Sequence, residues 1–147
     1  MNMASPLFML DTNAISDAVK NPTGFVAHHL GTLLPGQAII SVIVEGELRY
    51  GIAKASAVSL EKRVNALLSL IPTDGIDYVV ARRYGLLRAY LTAKGTPIGM
   101  NDLWIAAHAL VRSLILVTDN ESEFRRVPGL VIENWLRPDG DGNLGGS

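Results

Sequence analysis

The chain has 147 residues, a length typical of one domain, of which 48% are hydrophobic and 18% charged. The absence of cysteine excludes disulfides, thiolate zinc sites and a cysteine nucleophile, and the net charge of −1 excludes an overall basic chain. No apolar run approaches the ~20 residues of a membrane span, and the N-terminus has no signal-peptide pattern. We therefore expect a cytoplasmic protein that does not enter a membrane. Its high apolar content predicts a surface buried against a partner.

The apolar pattern predicts short buried strands that alternate with helices. The predicted elements, in chain order, are a strand at 7–10, a helix that ends at residue 19, a helix at 25–34, a strand at 38–41, a helix that runs toward residue 51, helices at 58–70, 78–93 and 103–111, a strand at 114–117, a short helix and turn at 122–129, and a last strand in 130–135. Asn13 or Ser16 is the expected cap of the first helix, and Ser41 that of the helix after the second strand. Residues 71–77 predict a break between the helices at 58–70 and 78–93. The Gly-rich residues 138–147 predict a flexible tail outside one folded domain of residues 1–137.

Short strands between helices predict an α/β domain, with a mostly parallel central sheet flanked by helices. In such sheets the functional crevice lies outside the carboxyl ends of the strands. Asp11 comes just after the first strand, and Asp119 comes just after the strand at 114–117. Because both strand ends lie at one edge of a parallel sheet, we expect the two acids to converge.

Three further acids are candidates for the same site. Asp102 follows a loop that leads into a helix, Glu47 lies one to two turns into the helix after residue 41, and Glu123 follows Asp119 by about one helical turn. Carboxylates gathered this way repel one another, and a divalent cation is the usual reason to gather them. Mg²⁺ and Mn²⁺ prefer oxygen ligands, and two such ions can clamp the attacking and leaving oxygens of a phosphodiester.

Each of these acids also has a plainer explanation. Asp is a favoured helix cap, which accounts for Asp11 and Asp102 without any chemistry. Asp119 fits an ordinary turn. Glu45 and Glu47 point to different faces of one helix, so at least one of them is expected to be solvated.

Other polar residues divide into supporting and structural candidates. Asn13 and Thr118 are expected to hold carboxylates or metal-bound water by hydrogen bonds. His108 stands alone among alanines and is assigned to the core or surface, and His28 with His29 lacks metal-ligand spacing and is assigned to the surface. The sequence contains no Gly-rich phosphate loop and no legible Ser-His-Asp arrangement.

The order and spacing of four segments resemble one known family. They are "FMLDTN", "ISVIVEGELRYG", "KGTPIGMNDLWIAAHAL" and "LVTDNESEFRRVPGLVIENW". They resemble the PIN-domain ribonucleases, and more narrowly the VapC toxins of bacterial type II VapBC toxin–antitoxin pairs. The resemblance covers nearly the whole folded body and implies a PIN-like fold.

The resemblance also implies the composition of the acidic site. In the family an Asp after the first strand, a Glu in the "ELRYG" element and an Asp in the "ND" pair form the site. These fall on Asp11, Glu47 and Asp102 in this sequence, with Asp11 and Asp102 as the direct metal ligands.

The fourth carboxylate is where the sequence departs from the family. Many PIN domains place an Asp two residues after the Thr at the strand end, and this chain has Asn120 there. Asp119 or Glu123 supplies the fourth carboxylate, or the site has three. Glu123 is the longer side chain, so we expect it to orient water at the metal and Asp119 to face solvent.

The resemblance implies an RNA endonuclease that depends on Mg²⁺, with Mn²⁺ as a substitute. It also implies a homodimer and a VapB-like antitoxin that inhibits by threading a segment into the acidic groove. Members of the family cut different structured RNAs, including transfer RNAs. The following arginines are either a path for RNA phosphates or ordinary solvated helix faces: Arg49, Arg82, Arg83 and Arg88.

Three other classes share parts of the pattern. A receiver domain needs an acidic pair before its first helix and a Lys after its last core strand, where this chain has Arg137. A phosphatase with a nucleophilic Asp needs a second acid two residues on, where Asn13 stands. A non-catalytic RNA-binding module has no use for three acids that repel phosphate.

Overall fold

The computed structural model describes residues 3–137, so the tail predicted at 138–147 lies outside the described residues. The strands are β1 (Phe8–Leu10), β2 (Ala38–Ser41), β3 (Thr73–Asp74), β4 (Ile115–Val117) and β5 (Ile132–Glu133). The helices are α1 (Thr12–Lys20), α2 (Phe25–Gly31), α3 (Val42–Ala55), α4 (Val58–Leu68), α5 (Tyr78–Ala93), α6 (Met100–Arg112) and α7 (Glu121–Phe124). Across residues 3–137, none of these helices combines the length and the apolarity needed to cross a membrane.

The strands form one parallel sheet with the order β3-β2-β1-β4-β5. β1 lies at its centre, where Met9 pairs with Ile39 of β2 and with Leu116 of β4. The three central strands β1, β2 and β4 are mostly buried and apolar, as is usual in a parallel sheet covered by helices. The helices contribute fully buried side chains such as Ile15 and Ile105 to the same core. The predicted α/β class with a parallel sheet is confirmed.

Two helices begin directly at the carboxyl ends of their strands. Asp11 caps α1, because its Oδ1 accepts a hydrogen bond from the first amide of the helix at 2.8 Å. The prediction that Asn13 or Ser16 caps this helix is therefore wrong. Ser41 caps α3 as predicted, since its Oγ accepts from the amide of the second helical residue at 3.1 Å.

α2 and β5 are shorter than predicted, and two further differences bear on the residues discussed below. α6 begins at Met100, after Gly99 as its cap, rather than at residue 103, so Asp102 lies inside the first turn and is not a cap. The segment at 71–77 is not only a break, because β3 pairs there with β2. Strand β3 is two residues long and polar, so it carries no apolar pattern that a sequence could reveal.

Candidate active site

The carboxyl ends of β1 and β4 bring Asp11 and Thr118 into contact. Asp11 is only 4% exposed, and its Oδ2 accepts hydrogen bonds from Thr118 Oγ1 at 2.8 Å and from Asn13 Nδ2 at 3.2 Å. Asn13 Oδ1 in turn accepts from the backbone amide of Asp119 at 3.0 Å. Asn13 and Thr118 therefore fix the orientation of the Asp11 carboxylate, which ends the central strand.

Glu47 lies where three helices meet. Its Oε1 accepts a hydrogen bond from the hydroxyl of Thr12 at the start of α1, and its Oε2 accepts from Asn101 Nδ2 of α6 at 3.1 Å. Because Thr12 follows Asp11 and Asn101 precedes Asp102, these two bonds bring Glu47 to both aspartates.

Asp102 and Glu123 share one hydrogen-bond donor. Asn120 Nδ2 lies 3.3 Å from Asp102 Oδ2 and 3.2 Å from Glu123 Oε2. The backbone amide of Gly99 also donates to Glu123 Oε1, at 2.7 Å. The position at which many PIN domains carry a carboxylate is therefore occupied by an amide that lies between two carboxylates.

The crowding of these acids changes their pKa values. Burial first, and then the charges of Asp11 and Glu123, raise the pKa of Asp102 to about 7, and the charge of Glu47 adds to this. Burial also raises the pKa of Asp11, and it outweighs the hydrogen bonds to the carboxylate, which lower this pKa. The pKa of Glu123 is lowered, chiefly by the backbone amide that donates to it. The site therefore holds negative charge that the protein itself does not balance.

Asp119 lies apart from this cluster. Its side chain is exposed, and its Oδ1 accepts from Asn134 Nδ2 at 2.9 Å. Of the two residues that the sequence left open as the fourth acid, Glu123 is the one beside Asp102. The cluster of four, called the acidic cluster below, consists of Asp11, Glu47, Asp102 and Glu123.

Side-chain amides hold the acidic cluster. The amide donors are Asn13 to Asp11, Asn101 to Glu47, and Asn120 to Asp102 and Glu123. Within residues 3–137 no Lys, Arg or His forms an ion pair with any of the four acids. Arg126 exerts only a weak attraction on Glu123, the least of the effects on its pKa. Amides satisfy carboxylate lone pairs without cancelling the charge.

The donor set of the acidic cluster fits a hard divalent cation. All of its side chains offer oxygen ligands, the type that Mg²⁺ and Mn²⁺ prefer. In the described part of the chain no three His, Cys, Asp or Glu side chains are close enough together to enclose a metal. This is compatible with Mg²⁺, which usually binds through one or two carboxylates and keeps several waters. Asp11 and Asp102 remain our predicted ligands.

The remaining charged candidates lie elsewhere. Arg49 pairs with Glu45 at 3.2 Å, and Glu45 also accepts from Thr73 at 2.7 Å, so Glu45 is outside the acidic cluster. Arg82 lies over a tyrosine ring and Arg88 donates to a tyrosine hydroxyl on exposed parts of α5. Their binding to RNA stays a prediction.

Several functional contacts are not legible in the sequence. Thr12 and Asn101 hold Glu47, and only their position beside the two aspartates hinted at this. A Ser-His-Asp set that the sequence does not reveal is also present: the buried His108 lies within hydrogen-bonding distance of Ser41 and Asp74. These three residues come from distant parts of the chain, and no local spacing predicts their contact.

Comparison with known proteins identifies similar chains. The PIN domain family matches residues 8–130. The chain is 37% identical to ribonuclease VapC2 of Rickettsia felis over 88% of its own length and 98% of the relative's. It is 38% identical to the tRNA(fMet)-specific endonuclease VapC of Salmonella typhimurium, over 87% of this chain and 97% of that one. The crystal structure of VapBC2 from Rickettsia felis bound to a DNA fragment from their promoter contains a chain that matches with a TM-score of 0.81. That match has 34% identity and covers 88% of this chain and 98% of the other.

Proposed function

The chain belongs to the PIN-domain family, in the branch of the VapC ribonucleases, and we propose that it is a metal-dependent RNA endonuclease acting as the toxin of a toxin–antitoxin pair. One observation supports this most directly. Four carboxylates meet at the carboxyl edge of the sheet and are held by neutral amides rather than by cations. Such a cluster repels RNA phosphates unless a cation screens it. The receiver, phosphatase and non-catalytic alternatives do not account for both the cluster and the family membership.

Asp11 and Asp102 are the proposed ligands of a Mg²⁺ ion, with Mn²⁺ as a substitute. Bound there, the ion would lower the pKa of water and neutralise charge that develops on the phosphodiester. Thr118 and Asn13 keep Asp11 in one orientation, and Asn120 keeps Asp102. Each of these donors acts on a ligand rather than on the substrate.

Glu47 and Glu123 are proposed to orient water toward the scissile phosphate. Each accepts one protein hydrogen bond at each carboxylate oxygen, which leaves lone pairs for water. Glu123 stays ionised because its pKa is lowered. Its ionised carboxylate can therefore accept a hydrogen bond from water and orient it at neutral pH. Asp119 is proposed to have no part in cleavage.

The partners follow from the same membership. We propose a VapB-like antitoxin that threads a segment into a groove next to the acidic cluster, since the relatives of known structure are VapBC complexes. A cleft of about 240 Å³ between α1, α3 and α4 includes Glu47 in its wall and is otherwise largely apolar. A homodimer is also proposed, because α5 exposes Tyr78, Leu86 and Tyr90 at helical spacing.

The substrate is proposed to be a structured RNA, and transfer RNA is the first candidate. The basis is the Salmonella relative, which is named as an endonuclease specific for tRNA(fMet). Sequencing of RNA ends after induction of the protein would identify the cleaved RNA directly. Cuts spread over many messenger RNAs, with none in transfer RNA, would contradict this candidate.

Cleavage of RNA in the presence of a chelator tests the metal site. We expect EDTA to abolish cleavage and Mg²⁺ or Mn²⁺ to restore it. Asp11→Asn and Asp102→Asn should abolish both cleavage and growth arrest in bacteria, because the amide keeps the shape but loses the charge. Asp119→Asn makes the same chemical change outside the cluster and serves as the control. Full cleavage in excess EDTA, or full toxicity of the two folded variants, would refute the proposal.

A further inference from the structure

A buried polar chain connects the start of α3 to the middle of α6. His108 and Ser41 are both completely buried, and His108 Nδ1 lies 2.9 Å from Ser41 Oγ. On its other side, His108 Nε2 lies 2.8 Å from Asp74 Oδ2 at the end of β3. His108 of α6 therefore connects the residue that caps α3 to the residue that ends β3.

The neighbours of this chain fix the direction of its hydrogen bonds. Asp74 also accepts a hydrogen bond from Arg112 Nε at 2.7 Å. Desolvation raises the pKa of Asp74, but the bonds from Arg112 and His108 outweigh it and hold the pKa below its usual value. An ionised Asp74 needs a proton from the histidine, so His108 Nε2 carries it. In the neutral imidazole Nδ1 is then an acceptor, and Ser41 donates to it while accepting from the amide of Ile43.

This Ser-His-Asp arrangement is not a second hydrolase site. Ser41 is completely buried, and none of the clefts described in residues 3–137 includes Ser41 or His108. The Ser41 hydroxyl is also engaged as the cap of α3. A substrate cannot reach it, so the arrangement must act through the protein.

The two helices that it joins both carry members of the acidic cluster. Ser41 precedes Glu47 by six residues at the start of α3, and His108 follows Asp102 by six residues on α6. Six residues of helix correspond to about 9 Å along the axis. The Glu47–Asn101 hydrogen bond joins the same two helices at the acidic cluster. The helices are thus joined at two points, one buried and one at the site.

We propose that His108 is a positioning residue that sets the distance between Glu47 and Asp102 through its hydrogen bond with Ser41. This rests on the proposed function of the acidic cluster. Without the buried connection, the exposed Glu47–Asn101 bond is the remaining side-chain hydrogen bond between α3 and α6 within residues 3–137. The two carboxylates would then sample separations that do not suit one cation.

Two substitutions of His108 remove its hydrogen bonds with Ser41 and Asp74 one at a time. His108→Asn keeps an acceptor near the position of Nδ1 and so retains the bond from Ser41, while it loses Asp74. His108→Gln keeps a donor near the position of Nε2 and retains Asp74, while it loses Ser41. Each variant breaks one hydrogen bond of the buried histidine, the fully buried bond with Ser41 in His108→Gln and the part-buried bond with Asp74 in His108→Asn. Both replace the same ring by a side-chain amide. His28→Gln, at an exposed histidine on α2, is the control.

The kinetic measurement is kcat and KM for RNA cleavage at a temperature well below the melting temperature of every variant. We expect His108→Gln to lower kcat about 10–100-fold with little change in KM, the range for residues that support metal ligands. His108→Asn should stay within about threefold of the wild type. A loss of kcat that is equal in the two variants, or that follows their melting temperatures, would overturn the proposal.

Two measurements on the metal-free protein do not depend on catalysis. Nitrogen-15 NMR of His108 should show a bare Nδ1 and a protonated Nε2. Amide hydrogen exchange at Leu103, whose amide donates to the Gly99 carbonyl in the first turn of α6, should be faster in His108→Gln than in His108→Asn. If exchange rises only beside Ser41 and not at Leu103, the proposal is wrong even if the wild type cleaves RNA. If the wild type fails to cleave but Leu103 responds as expected, the proposed function fails and the positioning role stands.

Discussion

Removing the charge of Asp102 should stabilise the metal-free protein while it destroys the activity. The Asp102 carboxyl has its pKa raised from 3.8 to about 7 by burial and by the charges of Asp11 and Glu123. The two values are about 3 pH units apart, and each unit corresponds to about 1.4 kcal/mol, which gives about 4 kcal/mol. Because the carboxyl is only half-buried, water screens part of this effect. We expect Asp102→Asn to gain about 2 kcal/mol when Asp102 is ionised in the wild type.

The pH at which the gain is seen follows from the direction of this pKa change. The folded wild type binds the Asp102 proton more tightly than the unfolded chain does. Its stability from this residue is therefore complete below about pH 4 and is lost as the pH rises to about 7. Asp102→Asn should be more stable than the wild type at pH 8. The difference should shrink as the pH falls and disappear only below about pH 4, where Asp102 is protonated in both the folded and the unfolded chain.

Denaturant unfolding in EDTA measures this difference. About 2 kcal/mol corresponds to an increase in melting temperature of about 4–8 °C for a chain of this size. Asp119→Asn is the control, since its carboxylate is exposed and lies outside the acidic cluster. Added Mg²⁺ should stabilise the wild type and not Asp102→Asn. A variant that is less stable than the wild type at pH 8 in EDTA would refute the reasoning that the four carboxylates repel one another.

Three further predictions concern the same edge of the sheet. Glu123→Gln should slow single-turnover RNA cleavage about 10–100-fold and Asp119→Asn should change it little, and the reverse order would mean that Asp119 is the fourth acid. Asn120→Asp adds a carboxylate between Asp102 and Glu123, so it should lower the Mn²⁺ concentration for half-maximal cleavage. It should also lower the melting temperature in EDTA at pH 8, and a melting temperature that is unchanged or higher would speak against repulsion between these carboxylates. Phe124→Ala should cost about 3–5 kcal/mol in denaturant unfolding, because Phe124 is completely buried, and a loss below about 1 kcal/mol would contradict that burial.

The parallel sheet was predictable because its central strands are apolar and uninterrupted. Residues around Met9, Ile39 and Leu116 form short apolar runs between helical patterns, and parallel pairing of such runs is the usual result. β3 was not predictable, because Thr73 and Asp74 join the sheet through backbone hydrogen bonds to β2. Backbone pairing of two polar residues leaves no mark on the sequence.

The convergence of the acids was predictable in outline and not in detail. The rule that functional residues lie at the carboxyl ends of parallel strands placed Asp11 and the segment after β4 together. It could not distinguish Asp119 from Glu123, since that choice depends on the turn after Thr118. In the structure Asp119 turns outward to Asn134, and α7 brings Glu123 back beside Asp102. Their roles in cleavage stay predictions.

Two groups of acids at the same edge of the sheet differ in their hydrogen-bond donors and in the direction in which their pKa values change. Asp74 and Asp77 pair with Arg112, and the pKa values of both are lowered. At Asp74 the pairing outweighs desolvation, and at Asp77 the backbone amide of Val80 lowers the pKa first and Arg112 adds to it. Asp102 has no such partner in the described residues, and its pKa is raised. A carboxylate paired with arginine joins elements of the fold and has little charge left for a ligand. An asparagine donor does not neutralise a carboxylate, so the fold bears a cost in stability that the proposed cation would remove. The choice of amide or guanidinium as the hydrogen-bond donor therefore separates the part of this edge that holds helices together from the part that we propose binds metal.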